Sequence, residues 1–203
     1  MLEIFTNLKM FRNAATGTFL AMTAAATPAM AGGGNVVPSS DEIKGYSLLD
    51  AAKATAVFNT GPLTAQPPAL PFYTLTSNAT VKAGTALYVP IYFADDSGMD
   101  VPPPFPTDIT DQKTDAEYLD GLVAAFGVEA FIIVVDGKVT VLDDSYISAT
   151  ATPPLQDGPP DGTNYIVSAA FLTPLTPGKH TIGIGGIIDG LPIVFKSETV
   201  TVK

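Results

Sequence analysis

Two stretches near the end of the chain alternate between apolar and polar residues with a period of two. Ile182 and Ile184 occupy alternate positions in the first stretch, and Val200 and Val202 do so in the second. Asp189-Gly190 lies between the two stretches, and this dipeptide is typical of a two-residue hairpin turn. Because such alternation is the pattern of half-buried strands, we expect a β-hairpin here.

Further strands are predicted upstream. The runs 85–93 and 128–135 are almost continuously apolar, as in strands that are buried on both faces. Pro90 interrupts the first run and predicts a bulge or an edge position. Asp136-Gly137 follows the second run directly and predicts a tight hairpin that returns through 138–142. Shorter strands are expected at 72–76, 146–151 and 164–171.

Two segments have helical periodicity instead. Ser47 precedes an apolar stripe and Asp50 follows three residues later, which predicts a capped helix over 48–58. A second helix is predicted to begin at the capping box Thr114-Asp115-Ala116-Glu117 and to end at Gly127. Gly121 weakens this helix by about 1 kcal/mol relative to alanine.

The order of these elements predicts the fold class. We count seven to nine short strands, two helices and no repeated strand–helix–strand unit. Among 203 residues, 18 are glycine and 18 are proline, which fits a chain with many turns. The pattern favours a mainly β fold, an antiparallel β-sandwich with one or two short peripheral helices, in a single domain over 46–203.

The first thirty-one residues are predicted to be removed from the mature protein. Lys9 and Arg12 form a short basic region, a small apolar run follows, and Ala29-Met30-Ala31 fits a cleavage site. We therefore predict a signal peptide over 1–31, a flexible leader over 32–45, and a secreted or periplasmic location. An uncleaved N-terminal membrane anchor is the alternative.

Charge and composition exclude several functions for the mature chain. From Gly32 onward it has 19 acidic residues, 8 lysines and no arginine, a net charge of −11. Nucleic acids and anionic membrane surfaces both need a cationic face, so neither is an expected partner. The chain has no cysteine, which excludes thiol catalysis and cysteine metal sites. The last predicted strand reaches Lys203, so we expect no C-terminal membrane anchor.

The order of segments resembles a group of uncharacterised bacterial secreted proteins. The residues that carry the resemblance span most of the mature chain: Tyr46 to Phe58, Val81 to Pro90, Val135-Asp136-Gly137 and Leu175 to Thr181. The resemblance implies an immunoglobulin-like β-sandwich and export from the cell. It implies no activity and no substrate, because the group has none established.

His180 is the only histidine and therefore the only candidate imidazole base. It stands in the strand entry Pro177-Gly178-Lys179-His180-Thr181. Sandwich domains often use such an entry for a packing residue, and no strained nucleophile turn accompanies it. We therefore predict no catalytic residue and a structural role for His180.

The loop 94–113 has the sharpest cluster of acids. Asp95, Asp96 and Asp100 are candidate ligands of Ca²⁺, which prefers oxygen ligands from flexible loops. The calcium pattern of EF-hands is absent, and Asp143-Asp144 is a weaker version of the same signal. A pair of carboxylates from this loop is also what a small glycoside hydrolase would need.

These observations predict an exported, non-enzymatic protein with a binding or structural role at the cell envelope or outside the cell. Its expected partner is an envelope protein or a glycan, and no membrane insertion is expected after signal cleavage. Two alternatives stay open. One is a small secreted hydrolase that uses carboxylates of the 94–113 loop, and the other is a calcium-stabilised surface module.

Overall fold

The computed structural model describes residues 35–60, 69–96, 105–106, 108–152 and 163–203. The predicted signal peptide over 1–31 lies outside this part of the chain. The described part has nine strands, two α-helices and a short 3₁₀ turn: α1 (Leu48–Thr60), β1 (Tyr73–Thr74), β2 (Ala79–Val81), β3 (Leu87–Asp95), α2 (Gln112–Ala124), β4 (Val128–Val135), β5 (Lys138–Leu142), the 3₁₀ turn (Asp144–Tyr146), β6 (Ile147–Thr152), β7 (Thr163–Leu172), β8 (Gly178–Ile188) and β9 (Leu191–Val202).

The strands form two sheets that share one apolar core. The four-stranded sheet has the order β1-β3-β7-β6, and the five-stranded sheet has the order β2-β9-β8-β4-β5. Buried side chains of both sheets and both helices belong to a single cluster. Tyr92 of β3 stacks on Phe131 of β4 with ring centroids 5.7 Å apart, so the two sheets meet directly. The protein is therefore mainly β, as the sequence predicts.

Both sheets are mixed, which corrects the expectation of a wholly antiparallel sandwich. The short strand β1 pairs with β3 in parallel, and β2 pairs with β9 in parallel. Neither pair is joined by a hairpin. The chain passes through β2 in the other sheet between β1 and β3, and nearly the whole domain separates β2 from β9. Parallel pairing requires such crossover connections, whereas the longer strands pair antiparallel with their neighbours.

The two Asp-Gly dipeptides make the hairpin turns that the sequence predicts. Asp136 and Gly137 have φ of 51° and 82°, and Asp189 and Gly190 have φ of 52° and 72°. Positive φ at both central positions is the geometry of a type I′ turn. The register of β3 against β7 shifts just after Pro90, which confirms the predicted bulge.

The helices confirm one predicted cap and correct the other. At α1, Asp50 N–H donates to Ser47 Oγ and Ser47 N–H donates to Asp50 Oδ2, both at 3.1 Å, so the capping box is present. The second helix begins earlier than predicted, because Asp111 is its N-cap and accepts the Lys113 N–H at 3.2 Å. Thr114 donates its hydroxyl to Asp111 at 2.6 Å instead of capping the helix itself. In the described part, neither helix has the length and apolarity needed to cross a bilayer.

The segment predicted as a flexible leader, 32–45, packs against the domain from Asn35 onward. Val36 forms a bridge with Leu172, and Val37 donates its N–H to the carbonyl of Phe171 at 2.9 Å. Both valines are buried. They continue the edge of the four-stranded sheet past the first residue of β6, so this part of the leader contributes to the core.

Candidate functional site

Asp96, Asp108 and Asp111 of the 94–113 loop have separate hydrogen-bond partners. Asp96 accepts the backbone N–H of Asn164 at 2.8 Å and its side-chain amide at 2.7 Å, one with each carboxylate oxygen. These bonds tie the end of β3 to β7. Burial, and then the charges of Asp95 and Asp96, raise the pKa of Tyr118 on α2. Asp100, the third predicted calcium ligand, lies outside the described residues.

The remaining described acids of this loop shape the start of α2. Asp108 accepts the N–H and the hydroxyl of Thr110 at 2.9 Å and 2.6 Å, and these bonds lower the pKa of its carboxyl. Asp111 is occupied as the cap described above. Over the described ranges, no group of three or more histidine, aspartate or glutamate side chains is arranged to hold a metal ion. The calcium site stays a prediction, since it includes Asp100.

His180 has both ring nitrogens in hydrogen bonds. Nδ1 lies 2.7 Å from Asp136 Oδ2, and Nε2 lies 2.8 Å from the carbonyl oxygen of Thr176. The hydrogen bond to Asp136, followed by the one to Thr176, raises the pKa of His180. The ring therefore links the turn between β4 and β5 to the entry of β8. The structural role of His180 stays a prediction.

A cleft of about 200 Å³ lies between α2, β4, β5 and the 3₁₀ turn. We call it the acidic cleft, because four of its nine lining residues are carboxylates and none is basic. Its floor is apolar. The carboxylates are Asp120, Glu129, Asp143 and Asp144, and the other lining residues are Ala130, Phe131, Val141, Leu142 and Ile147.

Hydrogen bonds hold the walls of the acidic cleft in place. Asp143 accepts the Ser145 N–H at 3.0 Å and also the Ser145 hydroxyl, which caps the 3₁₀ turn. Gln112 at the start of α2 donates its amide to the carbonyl oxygens of Asp144 at 3.3 Å and Ile147 at 3.2 Å. The helix and the turn are thereby fixed to each other, and the cleft between them is pre-formed.

The environment of the acidic cleft opposes the ionisation of Asp120. Burial, and then the charge of Asp144, raise the pKa of Asp120. The charges of Asp120 and Asp144 repel each other, because both residues line the same cleft. A cation placed between them would relieve this repulsion.

Sequence reasoning did not find the acidic cleft. It singled out Asp143-Asp144 only as a weak calcium signal, and it gave no role to Asp120 or Glu129. These two residues come from a helix and from the start of the next strand, so no spacing along the chain marks them. Only the packing of α2 against β4 and the 3₁₀ turn brings them together.

A second hollow, of about 440 Å³, lies on the outer face of the five-stranded sheet. Its lining is polar and comes from β2, β8 and β9: Asn78, Ala79, Thr80, Lys179, Thr199 and Thr201. Asn78 is occupied structurally, because its side-chain oxygen accepts the Thr199 N–H at 2.6 Å. With one cation and no aromatic side chain, this groove offers a weaker basis for recognition than the acidic cleft.

Comparison with family models, with curated proteins and with solved structures finds no match for this chain.

Proposed function

We propose that this is an exported, non-enzymatic binding protein that acts at the cell envelope or outside the cell, and that its acidic cleft receives a cationic group of its partner. The observation that carries the proposal is that Asp120 and Asp144 line one cleft together with apolar residues, where burial, and then the charge of Asp144, raise the pKa of Asp120. The partner we propose is an envelope protein that supplies a lysine side chain.

A lysine side chain has the chemistry that this cleft favours. Its aliphatic stem packs on apolar surface while the ammonium group stays with polar partners. Ala130 and Val141 provide the accessible part of such a surface, with the buried Phe131 and Leu142 behind them, and Asp120 and Asp144 also line the cleft. An ammonium group between the two carboxylates replaces a repulsion by two attractions, which are stronger above an apolar floor than in open water.

The roles of the other polar groups support a binding function over a catalytic one. His180 is bonded at both ring nitrogens, and Asp96 is bonded at both carboxylate oxygens. Asp108 and Asp111 form a turn and a helix cap. Export is proposed from the signal peptide pattern, and an immunoglobulin-like body is proposed with β1 and β2 as short parallel additions to its sheets.

The proposal is tested by titrating the protein with Nα-acetyl-lysine amide while amide shifts are followed by NMR. We expect shifts around Asp120 and Glu129, with a Kd on the order of millimolar for a single side chain. Asp144→Asn should weaken binding at least tenfold. Glu42→Gln removes one charge from the segment before α1, outside the cleft lining, and should leave the Kd within about twofold. Equal Kd values for these two variants would refute the cleft as the binding site.

The two alternatives predicted from the sequence have their own tests. A calcium-stabilised module would unfold at a higher temperature in millimolar Ca²⁺ than in EDTA, and Asp95→Asn would remove the difference. A hydrolase of the 94–113 loop would lose turnover on glycan or peptide panels when Asp95 and Asp96 are replaced by alanine. Asp96 and Asp108 already form hydrogen bonds within the fold. Binding at the acidic cleft is therefore better supported than a calcium site or a catalytic site in the 94–113 loop.

A further inference from the structure

The end of the hairpin formed by β8 and β9 exposes large apolar side chains. Leu191 is 56% exposed and Phe195 is 38% exposed, while Ile188 and Ile193 beside them are half-buried. We call these four residues the apolar tip. The stretch from Leu191 to Phe195 contains no charged residue.

The apolar tip is a continuation of the core-facing side of the five-stranded sheet. Gly186 pairs with both Phe131 and Ile193, so these residues share the face on which Phe131 is buried. Ile188 pairs with Val128 and Leu191 on the same face. This face of the sheet is buried in the core at Phe131 but is exposed at Leu191, because the end of the hairpin extends past the core.

Gly186 is closely packed within this face. A Cβ atom at Gly186 would lie 2.6 Å from Val128 Cγ1, 3.0 Å from the carbonyl oxygen of Ala130 and 3.5 Å from the ring of Phe195. Because Gly186 has no side chain, Val128 and Phe195 pack close to the strand, and Phe195 stays partly exposed on the outside. The apolar tip is therefore a surface patch that apolar side chains of a partner can cover.

The apolar tip is connected to the acidic cleft through one residue. Glu129 lines the cleft, and its Oε1 atom accepts the N–H of Gly190 in the hairpin turn at 3.3 Å. The strand order places β4 at the cleft and β9 two positions away. With neighbouring strands about 4.8 Å apart, roughly 10 Å separates the cleft from the apolar tip. Two or three residues of an extended peptide span that distance.

We propose that the acidic cleft and the apolar tip together bind one segment of the partner, a basic amphipathic peptide. Lysine side chains of the peptide enter the cleft, and its apolar side chains cover Leu191 and Phe195. This inference rests on the proposed function and adds the class of partner to it.

The charges of the molecule select a basic peptide over other occupants of the apolar tip. The acidic residues of the cleft adjoin the apolar tip, and the mature chain has a net charge of −11. A second copy of the chain has the same charge and would be repelled, as would an anionic lipid surface. An extended peptide with lysines and apolar residues on the same side matches both parts of the surface.

The experiment uses three synthetic peptides of equal length and measures their Kd by isothermal titration calorimetry. The first repeats lysine and leucine two positions apart, so that both lie on one side of an extended chain, the second has serine in place of each leucine, and the third has glutamate in place of each lysine. We expect the lysine–leucine peptide to bind at least about tenfold tighter than the lysine–serine peptide, because its leucine side chains become buried against the apolar tip. The third peptide, which has glutamate in place of each lysine, should not bind.

Two variants of the protein test whether the apolar tip causes this tenfold gain in affinity. Leu191→Ser should remove most of the tenfold gain without affecting the lysine–serine peptide. Leu49→Ser is the matched control, since Leu49 is 39% exposed on α1, on another part of the surface. It should leave both Kd values unchanged. Urea unfolding of each variant shows that the fold is intact, as expected for substitutions at exposed positions.

The outcomes separate this inference from the proposed function. If the lysine–serine peptide binds and depends on Asp144, but the lysine–leucine peptide binds no tighter, the inference is wrong and the proposed function stands. If neither lysine peptide binds, both are wrong. Equal affinity for the glutamate–leucine peptide would also overturn the inference, as would a concentration-dependent dimer in sedimentation that Leu191→Ser dissociates.

Discussion

Asp136 and His180 are joined by a contact of 2.7 Å between Oδ2 and Nδ1, although 44 positions separate them in the chain. The second oxygen of Asp136 accepts the N–H of Thr181 at 2.8 Å. The carboxylate thus holds two consecutive residues of β8 from within the hairpin turn between β4 and β5. One side chain fixes the register of that turn against the neighbouring strand.

This pair should make stability depend on pH. The pKa of His180 is raised, so its contribution is complete below the ordinary value of 6.5 and is lost as the pH rises through the raised value. Burial raises the pKa of Asp136, but the bonds from His180 and Thr181 outweigh it and lower the pKa below 3.8. The contribution of Asp136 is lost as the pH falls through that lowered value. The pair therefore stabilises most between about pH 4 and 6.5.

We expect His180→Ala to lower the free energy of unfolding at pH 5.5 by about 1 kcal/mol, a value reduced because the Asp136 side chain is 48% exposed. The loss should shrink as the pH rises to 8.5. Urea unfolding at a series of pH values measures this. His180→Gln is the control for packing. A pH-independent loss in His180→Ala would show that packing, and not the charge, is responsible.

Asp115 on α2 should lower stability at neutral pH. Its side chain is 2% exposed and its Oδ1 atom bonds to none of the described residues. Burial, and then the charges of Asp111 and Asp108, raise its pKa from 3.8 to about 6. The folded protein therefore holds this proton more tightly than the unfolded chain, and stability falls as the pH rises from 4 to 6.

We expect Asp115→Asn to raise the free energy of unfolding at pH 7.5 by about 1 to 2 kcal/mol and to have little effect at pH 4. Denaturant unfolding at the two pH values gives the comparison. Glu117→Gln, on the exposed side of the same helix, should change neither value. A gain of equal size at both pH values would contradict a titrating Asp115.

Two glycines should respond to alanine in opposite directions. A Cβ atom on Gly185 would overlap the backbone carbonyl of Ile193 at the bulge of the terminal hairpin, while Gly121 in α2 has no atom within 4 Å of that position. Gly185→Ala should therefore cost about 3 kcal/mol or prevent folding. Gly121→Ala should gain up to about 1 kcal/mol, because alanine is the better helix former. Urea midpoints measure both, and a stable Gly185→Ala protein would contradict the close approach.

The repulsion in the acidic cleft should be visible in a titration. Asp144→Asn removes the neighbouring charge and should lower the pKa of Asp120, which then reflects burial alone. Carboxyl carbon shifts measured by NMR between pH 2 and 7 follow Asp120 directly. Glu42→Gln serves as the charge-matched control and should leave the pKa of Asp120 where it is. An unchanged pKa in Asp144→Asn would remove the electrostatic basis of the proposed function.

The elements that sequence reasoning predicted well depend on neighbours in the chain. Asp136-Gly137 sets its hairpin through the positive φ that both residues accept, and the apolar run before it defines β4. The predicted start of α2 was wrong because aspartate and threonine are both good N-cap residues. The sequence does not show that the Thr114 hydroxyl donates a hydrogen bond to Asp111, which leaves Asp111 as the N-cap.

The features that sequence reasoning missed depend on distant contacts. Parallel pairing of β2 with β9 leaves no local signal, since neither strand is near the other in the chain. The acidic cleft joins Asp120, Glu129 and Asp144, which have different secondary structure and no common spacing. A buried role for Val36 and Val37 was not predicted either, because the glycines and serines around them are typical of a loose leader.

The parallel pairing of β2 with β9 has a consequence for how the domain assembles. Within the described residues, β2 has β9 as its sole sheet neighbour, and the contact between Lys196 and Thr76 beside it spans 120 positions. Loop closure over such a distance has a large entropic cost, which slows folding. We infer that hairpins β4–β5 and β8–β9 form early, and that β2 pairs with β9 only in a later step of folding. During that interval the edge of β9 that later pairs with β2 is unprotected and can pair with another chain.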